Sequence, residues 1–176
     1  MKHNLKDLSL KEALDLAIQV ELEAKARYEE FNRQIGSQAN GDAGDFFYQM
    51  SLNEKKHADD LQQKRNELFG HSPSSVSLED LYHLQEIEAP SFDKSESFMS
   101  VKKALLVARE SEVKAYEFFH KAEALVTDVK VKALFNELKQ EELEHKKMVE
   151  ELLAKIAPGD ELPLVDKNDV DEPNGL

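Results

Sequence analysis

Four stretches of the chain place apolar residues at alternating steps of three and four, the spacing of a helical face buried in a bundle. The first opens on a capping box, Ser9-Leu10-Lys11-Glu12, in which a hydroxyl and a carboxylate three residues apart satisfy each other's free amides. Its seam runs Leu14, Ala17, Glu21, Ala24, Tyr28, Phe31 and Ile35, and Gly36 stops it. A second helix is predicted from residues 40–45 to Phe69, with seam Phe47, Met50, Glu54, His57, Leu61 and Leu68, and Gly70 ends it. The third begins near Ser100 and carries Leu105, Ala108, Glu112, Ala115, Phe119, Ala122 and Val126. A fourth begins near Thr127 and Asp128, with Phe135, Leu138, Glu142, His145, Val149, Leu152 and Ile156, until Pro158-Gly159 breaks it.

The pattern repeats. Helices one and three match without gaps at an offset of 91 residues, Glu21 falling on Glu112, Ala24 on Ala115 and Tyr28 on Phe119. Helices two and four match at an offset of 88, which pairs Phe47 with Phe135, Glu54 with Glu142 and His57 with His145. The sequence therefore predicts an all-α bundle over residues 9–157, built from duplicated hairpins at 9–70 and 100–157 about a pseudo-twofold axis. Residues 1–8 are a lead-in with no apolar run, so no signal peptide is expected. Residues 71–99, with Pro73, Pro90 and a serine-rich stretch, are long for a bundle connection. A helix of about 27 residues is roughly 40 Å long, and roughly 12 extended residues cross that distance. The segment can run from one end of the bundle to the other, as the single long crossover of a ferritin-like fold requires. Residues 78–87 offer a short helix within it. The acidic tail, 158–176, has few apolar residues and is expected to be disordered.

Composition removes several functions. The net charge of −13 and pI near 4.9 repel phosphate backbones and anionic lipid, so neither nucleic acid nor membrane is an expected partner. No stretch approaches the roughly 18 apolar residues of a membrane span, and a cytoplasmic protein is the expectation. With no cysteine, disulfides, thiol catalysis and iron–sulfur or rubredoxin-type centres are excluded from this chain.

The chemistry lies where the seams turn polar. Glu21 and Glu112 interrupt helices one and three at their midpoints, and Glu54–His57 and Glu142–His145 interrupt helices two and four. Residues i and i+3 share a helix face, so four carboxylates and two imidazoles converge at one level of the bundle. A Glu-x-x-His pair alone is weak evidence, and Glu117–His120 is one without a repeat counterpart, about 140° around the helix from Glu112. It is read as a surface feature. Each unpaired buried carboxylate costs several kcal/mol, and four would rival the roughly 5–15 kcal/mol by which a domain is stable. No lysine or arginine sits at that level of the seams, so cations are the expected partners. Four carboxylates neutralise two divalent ions, and the mixed oxygen and imidazole donors suit iron or manganese; zinc would bind without redox cycling. Glutamates from two helices with Glu-x-x-His from the other two form the ligand pattern of di-iron and di-manganese bundles. Glu54 and Glu142 are assigned as bridges, Glu21 and Glu112 as terminal ligands, and His57 and His145 as one ligand to each ion. Asn53 and Glu141, each just before a bridging glutamate, are candidates to hold the histidine of the opposite hairpin. Tyr28 either reaches the site with its hydroxyl or packs as a plain aromatic, as Tyr48 and Tyr116 also could. His3, His71 and His83 lie outside the seams.

The motifs Glu21-x-x-Ala24-x-x-x-Tyr28, Glu54-x-x-His57, Glu112-x-x-Ala115-x-x-x-Phe119 and Glu142-x-x-His145 resemble those of the rubrerythrin branch of the ferritin-like di-iron carboxylate superfamily. The resemblance covers about residues 9–157. It implies redox chemistry with peroxide or O₂ at two iron ions, often in oxidative-stress defence or iron homeostasis, and commonly a homodimer. Two features depart from the family. Typical members append a cysteine-ligated rubredoxin domain, which a chain without cysteine lacks, so electrons must come from an external donor such as a rubredoxin-type protein. They also carry a further carboxylate on helix three where this chain has Ala115. Ferroxidase-like oxidation of Fe²⁺ is compatible with the ligand set. The competing functions are non-catalytic iron binding or storage, a dimanganese catalase-like enzyme, and a metal-free interaction module.

Overall fold

The computed structural model describes residues 5–35, 42–76 and 100–156. Four α-helices account for most of them: α1 (Leu10–Ile35), α2 (Asp42–Phe69), α3 (Val101–Leu125) and α4 (Val129–Leu153), preceded by a 3₁₀ turn at Leu5–Asp7. No strand occurs among the described residues, and no helix there is long and apolar enough to cross a membrane. The short helix expected at residues 78–87 and the tail from 158 lie outside the described residues.

Local chemistry sets each helix start. Ser9 and Glu12 cap α1 reciprocally, the Ser9 amide donating to Glu12 Oε2 at 2.9 Å and the Glu12 amide to Ser9 Oγ at 3.3 Å. Ser100 Oγ accepts from the Lys103 amide at 3.2 Å to start α3. Asp128 Oδ1 accepts from Lys130 and Val131 at 2.7 and 3.1 Å to start α4. Helix α2 ends at Gly70, whose φ of +67° closes a 2.8 Å bond from its amide to the Asn66 carbonyl; a side chain at that φ would be strained.

The apolar core is divided into two lobes. One holds Leu14 and Ala17 of α1, Leu61 of α2, Phe119 of α3 and Phe135 of α4. The other holds Phe31, Met50, Leu105 and Val149 of the same four helices. The beginning of α1 therefore shares an end of the bundle with the close of α2, the close of α3 and the beginning of α4. Helix α2 therefore finishes at one end of the bundle and α3 starts at the other, and residues 77–99 between them lie outside the described residues. The lead-in also contributes, because Leu8 is buried in the first lobe.

One seam position differs from expectation. Leu68 is exposed, whereas Arg65, three residues earlier, is 2% exposed. The guanidinium is accepted inside because every face of it meets an acceptor: Nε donates to Asp15 Oδ1 at 2.8 Å, Nη1 to the Gly70 carbonyl at 2.8 Å and Nη2 to the Pro73 carbonyl at 3.0 Å. Asp15 also takes the Ser75 amide at 2.9 Å, the Ser75 hydroxyl at 2.8 Å and Lys11 Nζ at 3.0 Å. This network ties α1 to α2 and pins the start of the crossover, with Val76 buried beside it. Burial pushes the Asp15 carboxyl up, but the bonds from Arg65, Ser75 and Lys11 outweigh it and hold the pKa below its ordinary 3.8.

Removing one partner of a buried, hydrogen-bonded ion pair leaves the other uncompensated, which costs about 3–5 kcal/mol. Arg65→Met is therefore expected to lower unfolding free energy by about that amount in urea titrations. A carboxyl with a depressed folded pKa contributes stability that is complete above its unfolded pKa and disappears as pH falls through the folded value. Acid titration of the wild type should accordingly show a steeper loss of stability below pH 3.8 than Asp15→Asn does. Equal acid sensitivity of the two proteins would show that Asp15 is not coupled to folding.

Candidate metal centre

Between the two apolar lobes lies a polar layer supplied by all four helices. Glu21 of α1, Glu54 of α2 and Glu112 of α3 are between 2% and 4% exposed, and Glu142 and His145 of α4 are 6% and 5% exposed. His57 of α2 is the more open member, its side chain 22% exposed. Each is carried inward by the same three-and-four spacing that buries Phe31 or Phe135, so their convergence follows from helix register.

The two imidazoles stack face to face, with centroids 5.3 Å apart and planes inclined by 8°. His57 Nδ1 lies 3.5 Å from Glu21 Oε2 and 3.8 Å from Glu54 Oε2. His145 Nδ1 lies 3.1 Å from Glu54 Oε1, 3.6 Å from Glu112 Oε2 and 3.9 Å from Glu142 Oε2. Glu54 thus presents one oxygen to each imidazole, while Glu142 faces His145 and Glu112. Three groups have donor atoms within 4.8 Å of one another: Glu54, His57 and His145; Glu21, His57 and Glu141; and Glu112, Glu142 and His145.

Among the described residues, the buried side-chain atoms without a hydrogen-bond partner are Gln34 Oε1, Glu54 Oε1, His57 Nδ1 and His145 Nδ1. Three of the four meet in this layer. Burial first, then Glu21 and Glu112, push the Glu54 carboxyl well above the usual carboxylate range. Burial, Glu112 and Glu21 do the same to Glu142. At Glu112 burial also raises the pKa, but the neighbouring His145 and Glu142 and the bond from the Tyr28 hydroxyl outweigh it and lower it. The Glu21 carboxylate raises the His57 pKa against burial. Among the described residues no lysine or arginine pairs with these four glutamates. Converging lone pairs that repel one another, with no protein cation between them, are the donor set a pair of divalent cations fits.

The neighbouring candidates fall differently. Tyr28 is buried and donates its hydroxyl to Glu112 Oε1, and its ring lies 6.2 Å from both Phe31 and Phe47. It packs and reaches the polar layer at once. Burial, then Glu112 and Glu54, raise its pKa well above the ordinary value, so the phenol keeps its proton. Tyr48 is exposed, and Tyr116 stacks on the exposed His120 with parallel rings 5.9 Å apart. Glu141 lies beside Glu21 and His57 without a hydrogen bond to the imidazole. Among the described residues Asn53, half-buried, makes no hydrogen bond to His145. Asp15 and Arg65 are not among the residues the sequence singles out, although Arg65 stands four residues after Leu61 and three before Leu68, at the seam spacing itself.

Comparison with known proteins agrees with this architecture. No curated protein matches the chain. The crystal structure of an uncharacterized conserved protein from Magnetospirillum magnetotacticum MS-1 is similar, with 27% sequence identity and a TM-score of 0.69 over 86% of this chain and 97% of that one. The family profile described as Rubrerythrin matches residues 12–153, which takes in all four helices and every one of the inward-facing glutamates and histidines; the chain belongs to the rubrerythrin family.

Proposed function

We propose that this chain is a di-iron oxidoreductase that reduces peroxide or O₂ with electrons from a separate donor protein, with manganese as the alternative metal. The observation that supports this most is the set of unpartnered atoms, Glu54 Oε1, His57 Nδ1 and His145 Nδ1, that meet in a layer of buried carboxylates. Glu21, Glu54, Glu112, Glu142, His57 and His145 would hold two ions. When bound, iron or manganese supplies reversible one-electron chemistry that zinc does not.

The residues around the ions have distinct duties. The His145 side is closed, with Glu112, Glu142 and His145 all buried, whereas His57 is partly open. A small oxidant therefore reaches the centre from the His57 side. Tyr28 keeps its proton and orients Glu112 through its hydroxyl. Reduction of hydrogen peroxide to two waters consumes two electrons and two protons. None of these 176 residues is a cysteine, so the rubredoxin-type centre proposed to supply the electrons lies outside them.

Elemental analysis of protein purified without chelator should find about two iron or manganese ions per chain. Glu54→Ala, checked for folding by circular dichroism, should lose most of them together with peroxide turnover. Unchanged turnover in a folded Glu54→Ala protein would sink the redox reading. Little metal in the wild type after anaerobic Fe²⁺ loading would remove the centre altogether. Tyr28→Phe should still fold and bind metal, with activity or metal affinity reduced about 10–100-fold, the usual cost of losing a group that orients a ligand. Full affinity and activity in that variant would make Tyr28 a packing residue alone.

A further inference from the structure

We infer that Glu141 is itself a metal ligand, the carboxylate that completes the His57 side of the centre; this rests on the two-metal reading above. One oxygen of Glu141, one of Glu21 and a nitrogen of His57 lie within 4.8 Å of one another. Among the described residues, however, no hydrogen bond or close ion pair joins Glu141 to His57, whose near carboxylates are Glu21 at 3.5 Å and Glu54 at 3.8 Å. A residue that merely held the ring in place would sit within about 3.2 Å of a ring nitrogen. Ligands on opposite sides of one ion, each bonded at about 2.0–2.2 Å, stand roughly 4 Å apart. The separation fits a shared ion rather than a supporting hydrogen bond.

Two further observations point the same way. His57 Nδ1 is buried without a partner, and so is an oxygen of Glu54, a residue only 2% exposed, which is common to both sides. The donor groups also become equivalent once Glu141 is counted. Glu112, Glu142 and His145 form one set of two carboxylates and an imidazole, Glu21, Glu141 and His57 form the other, and Glu54 lies between them. Without Glu141 the His57 set has one carboxylate fewer. Glu141 is half-buried, so its charge is partly solvated before an ion arrives and its desolvation is less costly than that of the interior glutamates. Its counterpart in the repeat is Asn53, so the first hairpin offers no equivalent carboxylate.

The test uses Mn²⁺ as probe, with calorimetric titration of the full-length wild type, Glu141→Gln and Glu54→Ala, and water-proton relaxation of each loaded protein. Glutamine is isosteric and its amide oxygen still accepts a hydrogen bond, so it preserves a supporting role and removes the anionic ligand. In Glu141→Gln one of two Mn²⁺ ions should bind at least about 10-fold more weakly. Relaxation per bound ion should rise, because water enters the vacated coordination position. Wild-type affinities and relaxation in Glu141→Gln overturn the inference while leaving the two-metal centre standing. Both ions weakened equally with unchanged relaxation overturns it too, by showing that Glu141 acts only through His57. Failure of the wild type to bind Mn²⁺ beyond the level of Glu54→Ala overturns the metal reading itself.

Discussion

Mutual repulsion among buried carboxylates is the constraint around which this bundle is arranged. Glu21, Glu54, Glu112 and Glu142 are all at most 6% exposed and come from four different helices, so no rotation of a single helix could relieve them without exposing the apolar residues a turn away. The consequence reaches the whole core. Instead of one continuous interior, the apolar side chains form two lobes, one at each end of the bundle. The lobes hold the helices in register, and the register holds the carboxylates together. Stability at the ends thus opposes repulsion in the middle, and a bound cation reverses the sign of the middle term. A cation that bound only the folded chain would stabilise it, so binding there would be coupled to folding.

The molecule contains a second buried charge, and the contrast is instructive. Asp15 and Arg65 are as deeply buried as the interior glutamates, yet their hydrogen-bonding capacity is met by each other, by Lys11, by Ser75 and by the carbonyls of Gly70 and Pro73. That network needs nothing from outside and anchors the start of the crossover. In the central layer acceptors outnumber donors: besides the two imidazoles the layer receives the single hydroxyl of Tyr28, which donates to Glu112. One site closes on itself, the other calls for a cation.

Duplication built the centre and divergence made its halves unequal. Tyr28 donates to Glu112, whereas its repeat counterpart, Phe119, has no hydroxyl and packs against Phe135 at 5.8 Å. Glu141 stands beside Glu21 and His57, whereas its counterpart is Asn53. The His145 half is therefore closed and hydrogen-bonded through a phenol, and the His57 half is open and carries an additional acid.

Much of this was legible from residue order. Three-and-four spacing located the helices and their inward faces, because helical period is a local property of the backbone; the capping residues Ser9, Ser100 and Asp128 marked starts for the same reason. The duplicated glutamates and histidines could be placed at one level because the repeat fixes their heights along parallel seams. Contacts between residues far apart in sequence were a different matter. Leu68 fits the seam by spacing alone, but the acceptors that draw Arg65 inside come from α1 and from the chain beyond Gly70, and no local pattern reports them. Whether Tyr28 packs or donates depends on its distance to a residue 84 positions away, and whether Glu141 supports a histidine or faces an ion depends on a gap of an ångström or so across the bundle. Periodicity decides which face of a helix is buried; only the packing of four helices decides which atoms on that face come within bonding distance.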